Sequence, residues 1–201
     1  MHPRLLAKDP FLARLMAWSQ EKGVKPQVRA QASTTSGGAK KLKLSIYGPI
    51  GNFFEDSVTD QAVAEALEAE DPDEVELTLN SPGGDAFMGI AIFNLLKSHR
   101  AKVTVKVVGE AASAAGIISQ AGDEILMGTG AMLMIHNSWT ISLGDWREHK
   151  QTARLLQKLD KSQASILSSR SKLTADEALT LMGKGADPRK AKKYFPIGKR
   201  E

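Results

Sequence analysis

Residues 103–119 read VTVKVVGEAASAAGIIS. The first part, Val103–Val108, is valine-rich with one interrupting Lys106, the composition of a strand buried in a sheet. Gly109 then opens a run of small residues, and Ala111–Ser119 reads as a helix packed close against its surroundings. Ser113 therefore falls at a strand-to-helix turn. Small neighbours let the backbone bend sharply there and let a substrate carbonyl approach the hydroxyl. A helix that begins at the serine also points N–H groups and the positive end of its dipole at a developing oxyanion. Taken alone, the same residues also fit Ser113 as one more small side chain in a tight helix–sheet contact.

Working outward, strand and helix patterns alternate. Leu42–Tyr47 alternates apolar and polar residues and stops at Gly48-Pro49. Val58–Ala69 places Val58, Ala62, Val63, Ala66 and Leu67 at helical spacing. Val75–Leu79 is a short strand running into Asn80-Ser81-Pro82-Gly83-Gly84, and Phe87–Leu96 is an apolar-faced helix. Ile125–Met127 and Met132–Ile135 are further short strands. Trp146–Leu167 is a long polar helix with a stripe of Leu156, Leu159, Gln163, Ile166 and Leu167. Such alternation predicts an α/β domain around a mostly parallel sheet. Ahead of it, Phe11, Leu12, Leu15 and Met16 form a short helical pattern. Gln31–Lys41 (QASTTSGGAKK) reads as flexible chain, so the ordered domain is expected to begin near Leu42.

Composition narrows the class. A chain of 201 residues, 42% of them hydrophobic, has room for one substantial domain plus tails. No run is apolar enough for a membrane span, and the charged start (Arg4, Lys8, Asp9, Arg14) lacks a signal-peptide core. With no cysteine there is no disulfide framework and no thiol nucleophile, which fits a cytoplasmic protein. The net charge of +4 is unevenly spread. Residues 1–43 carry nine Lys/Arg against two Asp/Glu, residues 184–201 seven against two, and the middle is acidic. Neither basic tail interleaves aromatic residues as base stacking would need, so nucleic acid is not the expected partner.

Two further sites could carry chemistry. His136 ends the apolar run Met132-Leu133-Met134-Ile135, at the end of a strand where α/β folds present functional side chains. A serine hydroxyl needs such a base nearby before it attacks. The remaining histidines fit less well: His2 in the tail, His99 between charged residues, and His149 on the long helix. In Asn80-Ser81-Pro82-Gly83-Gly84 the glycines allow backbone to lie against a ligand. No Walker-type lysine follows, which argues against a nucleotide loop.

Taken in order, strand–Asn-Ser-Pro-Gly-Gly, strand–Gly-x-Ala-Ala-Ser and strand–Met-Ile-His resemble the Clp protease proteolytic subunit (ClpP) family over about Ile46–Leu181. The similarity is closest to the ClpP-like head-maturation proteases of phages and prophages. It implies a ClpP/crotonase-like fold of repeated strand–helix units with a protruding handle helix, at about 146–170, that interleaves between stacked rings. The protease domain would span 42–183, preceded by a basic extension and linker (1–41) and followed by a basic tail (184–201). The resemblance makes Ser113 the nucleophile and His136 the base, with the backbone N–H groups of Gly84 and Ala114 as oxyanion hole. Pro82, Gly83, Gly84 and Asp85 would bind extended substrate as an added strand. It implies no metal or organic cofactor, a homo-oligomeric ring, capsid or scaffold protein as substrate, and an unfoldase ATPase as an optional partner.

The chain departs from this pattern after Met182. The family's orienting Asp is expected there, but Gly183 follows, and the sequence turns basic as a truncated or frameshifted reading frame would. Asp187 is the nearest substitute, and it also reads as a loop or helix-start aspartate. Asp176 reads instead as part of a helix start. Three alternatives therefore stand beside the serine endopeptidase. One is an inactive ring-forming structural subunit. Another is a Ser/Lys peptidase using Lys102 or Lys106, and the third is a crotonase-like enzyme with no need of Ser113.

Overall fold

The computed structural model describes residues 27–51 and 58–184. Within them lie six strands: β1 (Gln27–Thr34), β2 (Lys40–Tyr47), β3 (Glu74–Ser81), β4 (Lys102–Ala112), β5 (Glu124–Met127) and β6 (Met132–Met134). Five helices accompany them: α1 (Asp60–Glu70), α2 (Ala86–Ser98), α3 (Ala114–Ser119), α4 (Trp146–Ser169) and α5 (Ala175–Gly183). β2, β3 and β4 run parallel in that order, and β1 pairs antiparallel with β2. β4 is the longest strand, and two short strands share its far edge. β5 lies beside its first half, from Thr104, and β6 beside its last three residues, Glu110–Ala112.

Strand alternation separates the two faces of this sheet. Leu42, Leu44 and Ile46, then Val75, Leu77 and Leu79, then Val103, Val105 and Val107 are buried in one core with Val63 and Leu67 of α1 and Ile92, Phe93 and Leu96 of α2. The opposite face is polar. There Glu76 Oε2 lies 2.9 Å from Lys41 Nζ and 3.0 Å from Lys106 Nζ, bridging three neighbouring strands. Helix starts carry local caps: Thr59 for α1, Asp85 for α2, and reciprocal capping boxes at Asp145/Glu148 for α4 and Thr174/Glu177 for α5.

Most expected elements appear within a residue or two of their predicted ends; β4 runs four residues past its expected end at Val108, to Ala112, and two other readings differ. Gln31–Lys41 is not a flexible link: Gln31–Thr34 belong to β1, which continues through a turn into β2 at Lys40. The polar, alternating AQAST tail of that strand lies on the sheet edge, where small polar side chains pair as well in a ladder as they float in a linker. The helix read over Ala111–Ser119 is shorter, because Ala111 and Ala112 still belong to β4 and pair with Leu133 and Met134. The helical pattern at Phe11–Met16, residues 1–26 and 185–201 of the two basic ends, and Asp187 lie outside the described residues. No helix among the described residues is long and apolar enough to cross a membrane.

α4 divides into halves. Its buried residues, Leu159, Asp160, Gln163, Ala164 and Leu167, all fall in the second half. Trp146 at its start is 64% exposed and Leu155 is 49% exposed. The helix is therefore rooted at its C-terminal end.

The Glu76 bridge yields a pH prediction. The lysine ammonium groups, Lys41 first, hold the Glu76 carboxyl below its usual range of about 4.5. Its contribution to stability is present above that value and lost as pH falls through the lower, folded-state one. Glu76→Gln should lower stability by less than about 1 kcal/mol at neutral pH. In urea melts the gap to wild type should close as pH falls below about 4.

Candidate active site

Ser113 stands in the first position after β4 and caps α3, with φ 53° and ψ −121°. A non-glycine residue in that region is strained by about 1–3 kcal/mol and persists only where its surroundings enforce it. Several contacts do so. The Ser113 N–H donates to Met134 O at 2.8 Å, tying the turn to the end of β6. Gly116 lies so near Met134 O that a Cβ there would sit 2.9 Å from it, and a Cβ on Gly89 would sit 2.8 Å from the Ala114 methyl. The small residues around the serine thus serve the close approach of α2, α3 and β6.

The approach of β4 is itself altered upstream. Leu79 pairs with Val107, yet Ser81 pairs with Ala111, so two steps along β3 match four along β4. This bulge at Val108–Gly109–Glu110 is bridged by Asn80, whose Oδ1 accepts from the Glu110 N–H at 3.0 Å. A side chain on Gly109 would collide with that Oδ1, because its Cβ would lie 2.5 Å away. Bulges of this kind bend a strand and re-aim the residues beyond them.

Immediately past β6 stands His136, half-buried, with Nε2 2.8 Å from Ser113 Oγ. The two residues are 23 positions apart in sequence and meet because β4 and β6 run side by side. A serine–histidine contact alone decides little here. Ser142 Oγ also lies 2.8 Å from His149 Nδ1, on the surface ahead of and along α4. What separates the pairs is context: Ser113 has the strained strand-to-helix turn and faces the glycine loop, and Ser142 has neither. His99 is occupied in a third way, accepting the Ala101 N–H at Nδ1 just beyond α2.

The glycine loop folds over this turn. Gly83 has φ 92° and Gly84 φ 147°, conformations that favour glycine at both positions. The loop is held by Ile50, whose N–H donates to Gly83 O at 2.9 Å and whose carbonyl accepts from the Asp85 N–H at 2.8 Å. Ser81 Oγ takes the Gly83 N–H at 3.1 Å. Pro82 and Gly83 are buried, both backbone polar groups of Gly83 are engaged, and the Asp85 carboxylate caps the Met88 N–H. Gly84 and Asp85 are partly exposed. Among the described residues, neither the Gly84 N–H nor that of Ala114, the residue after Ser113, donates a hydrogen bond.

Lys102 and Lys106 do not share this side of the sheet with the serine. Lys106 pairs with Glu76 on the polar face, and Lys102 is exposed at the start of β4. No group of carboxylates, histidines or cysteines able to hold a metal occurs among the described residues. A surface depression between α1 and α2, lined by Asp60, Gln61, Ala64, Ala91 and Asn94 among others, includes neither Ser113 nor His136 in its lining. Asp176 sits in the first turn of α5, as its sequence context suggests.

Residues with no role assigned from sequence also enter the site. Asn80 and Ser81 were visible as parts of a motif, but their hydrogen bonds were not. Ser138, Asp160 and Gln163 left one trace, a glutamine inside the apolar stripe of α4. In the structure Asp160 Oδ1 accepts from the Ser138 N–H at 2.6 Å, and Gln163 Nε2 donates to Ser138 Oγ at 2.9 Å.

The loop contact is directly testable. A Cβ on Gly83 would lie 2.5 Å from Ala112 O and 2.7 Å from Ser113 Cβ, on backbone that already disfavours it. Gly83→Ala should therefore displace the serine turn and slow its reaction with a fluorophosphonate by about tenfold or more. Pseudo-first-order labelling rates on folded protein, checked by circular dichroism, measure this.

A family model described as Clp protease matches residues 30–194. The match begins within β1 and takes in the bulge, the glycine loop, the Ser113 turn, His136 and both C-terminal helices. Family members act on protein substrates and form oligomeric rings. The chain, with this ClpP-like α/β fold, belongs to the Clp protease family of serine peptidases.

Proposed function

We propose that this protein is a serine endopeptidase that cleaves peptide bonds through an acyl-enzyme at Ser113. The observation that carries the reading is the 2.8 Å contact between Ser113 Oγ and His136 Nε2 at a strained strand-to-helix turn. In this mechanism His136 takes the hydroxyl proton as Oγ attacks the substrate carbonyl. The oxyanion that forms accepts from the N–H groups of Gly84 and Ala114. His136 then gives its proton to the departing amine, leaving an ester on Ser113. Water, deprotonated by the same imidazole, cleaves that ester and restores the serine. Neither Lys102 nor Lys106 is needed as base. An extended substrate would lie along the glycine loop from Pro82 to Asp85, where Gly84 and Asp85 are partly exposed.

Asp187 is our proposal for the carboxylate that orients His136. Loss of such a group costs about four orders of magnitude in turnover where it has been removed from a triad. α4 would act as the handle between stacked rings. Its free half and the preceding segment carry Ile141 at 60%, Leu143 at 91% and Trp146 at 64% exposure, on a helix otherwise rich in charge. Apolar residues so displayed are suited to burial against other copies. The biological role we propose is phage or prophage head maturation in the cytoplasm, with capsid or scaffold protein as substrate.

Ser113→Ala and His136→Ala should each abolish fluorophosphonate labelling and lower peptide hydrolysis by about four orders of magnitude or more. Both should leave the oligomer unchanged by light scattering. Asp187→Asn should reduce turnover by about a hundredfold or more with KM little altered. An assembled wild type that neither labels nor cleaves would instead make the chain a structural ring subunit.

A further inference from the structure

The segment His136-Asn137-Ser138 leaves β6 without regular secondary structure, so its position must come from elsewhere. Two buried polar side chains at the root of α4 supply it. Asp160, 8% exposed, takes the Ser138 N–H at 2.6 Å through Oδ1. Gln163, 6% exposed, donates from Nε2 to Ser138 Oγ at 2.9 Å. They lie three positions apart, on one helix face. A third neighbour touches the same segment, since a Cβ on Gly183 at the end of α5 would lie 3.7 Å from the Asn137 amide nitrogen.

A carboxyl group and an amide are costly to bury on a helix face whose other buried members are Leu159, Ala164 and Leu167. Packing alone would favour apolar residues at both positions. Their bonds converge on one residue, two positions past the imidazole that touches Ser113. A hydrogen-bonded clamp fixes a backbone segment in direction as well as depth, which apolar contact does not. We propose that Asp160 and Gln163 are positioning residues for His136, holding its backbone through Ser138 so that Nε2 stays in reach of the Ser113 hydroxyl. The clamp also makes the seating of α4 a determinant of the serine–histidine distance. This inference rests on His136 acting as the base.

Two readouts test it in the full-length oligomer. For hydrolysis of a short fluorogenic peptide, Asp160→Ala and Gln163→Ala should lower kcat by about ten- to a hundredfold, with KM changed less than about twofold. Asp160→Asn keeps the acceptor oxygen and should recover most of the loss. Ser162→Ala, on the outer face of α4, serves as the control. Independently, the imidazole 15N resonances of His136, assigned through His136→Ala, should move in both alanine variants and return in Asp160→Asn. The proposal is overturned if kcat falls only in step with the folded or assembled fraction, or if the His136 resonances stay where they are in wild type. If wild type fails to turn over, the catalytic reading is what fails, and the resonances alone decide the clamp.

Discussion

Ser113 occupies a conformation that an L-residue avoids, and the structure around it can be understood as the set of contacts that keep it there. Its N–H is fixed to the end of β6, its Cβ lies against Gly83, and the helix beyond it packs on Gly89. Each contact needs a residue without a side chain or an acceptor at the end of a strand. Strain of about 1–3 kcal/mol is a large fraction of the stability of a single domain, so it must be imposed by well-packed neighbours. The nine buried leucines, isoleucines and valines on the helix-covered face of β2, β3 and β4 provide that rigidity.

The sheet also explains why the nucleophile and base meet. β4 outruns its neighbours, so β5 and β6 can both pair with it at different heights. The bulge opposite Asn80 lets β4 shift register against β3 before it reaches Ser113. The glycine loop at the end of β3 and the serine turn at the end of β4 thereby arrive at the same height. Polar side chains on the opposite face, Glu76 with its two lysines, hold the three strands together without entering the site.

Much of this was legible in the sequence. The valine run, the Ala/Gly setting of Ser113 and the placement of His136 after an apolar strand each carry a local signal that the fold respects. β1 was not legible because Gln31–Thr34 is small and polar, and an edge strand on the polar side of a sheet demands nothing else. The early end of α3's helical pattern escaped for a related reason. Alanine suits helix and tight strand alike, and the pairing of Ala111 and Ala112 with β6 is a long-range fact. Hydrogen bonds from Asn80, Ser81, Asp160 and Gln163 join residues far apart in sequence or lie within loops, so no periodicity announces them. Gln163 in an apolar stripe was the one hint, a polar side chain where only a partner could justify burial.

The most direct test of the central claim is a crystal structure of the protein reacted with a peptide boronate. The account predicts a covalent bond from boron to Ser113 Oγ, with a boronate oxygen about 2.7–3.1 Å from the N–H groups of both Gly84 and Ala114. Electron density for the inhibitor on another residue, or an adduct on Ser113 whose oxygens face solvent away from both N–H groups, would contradict it.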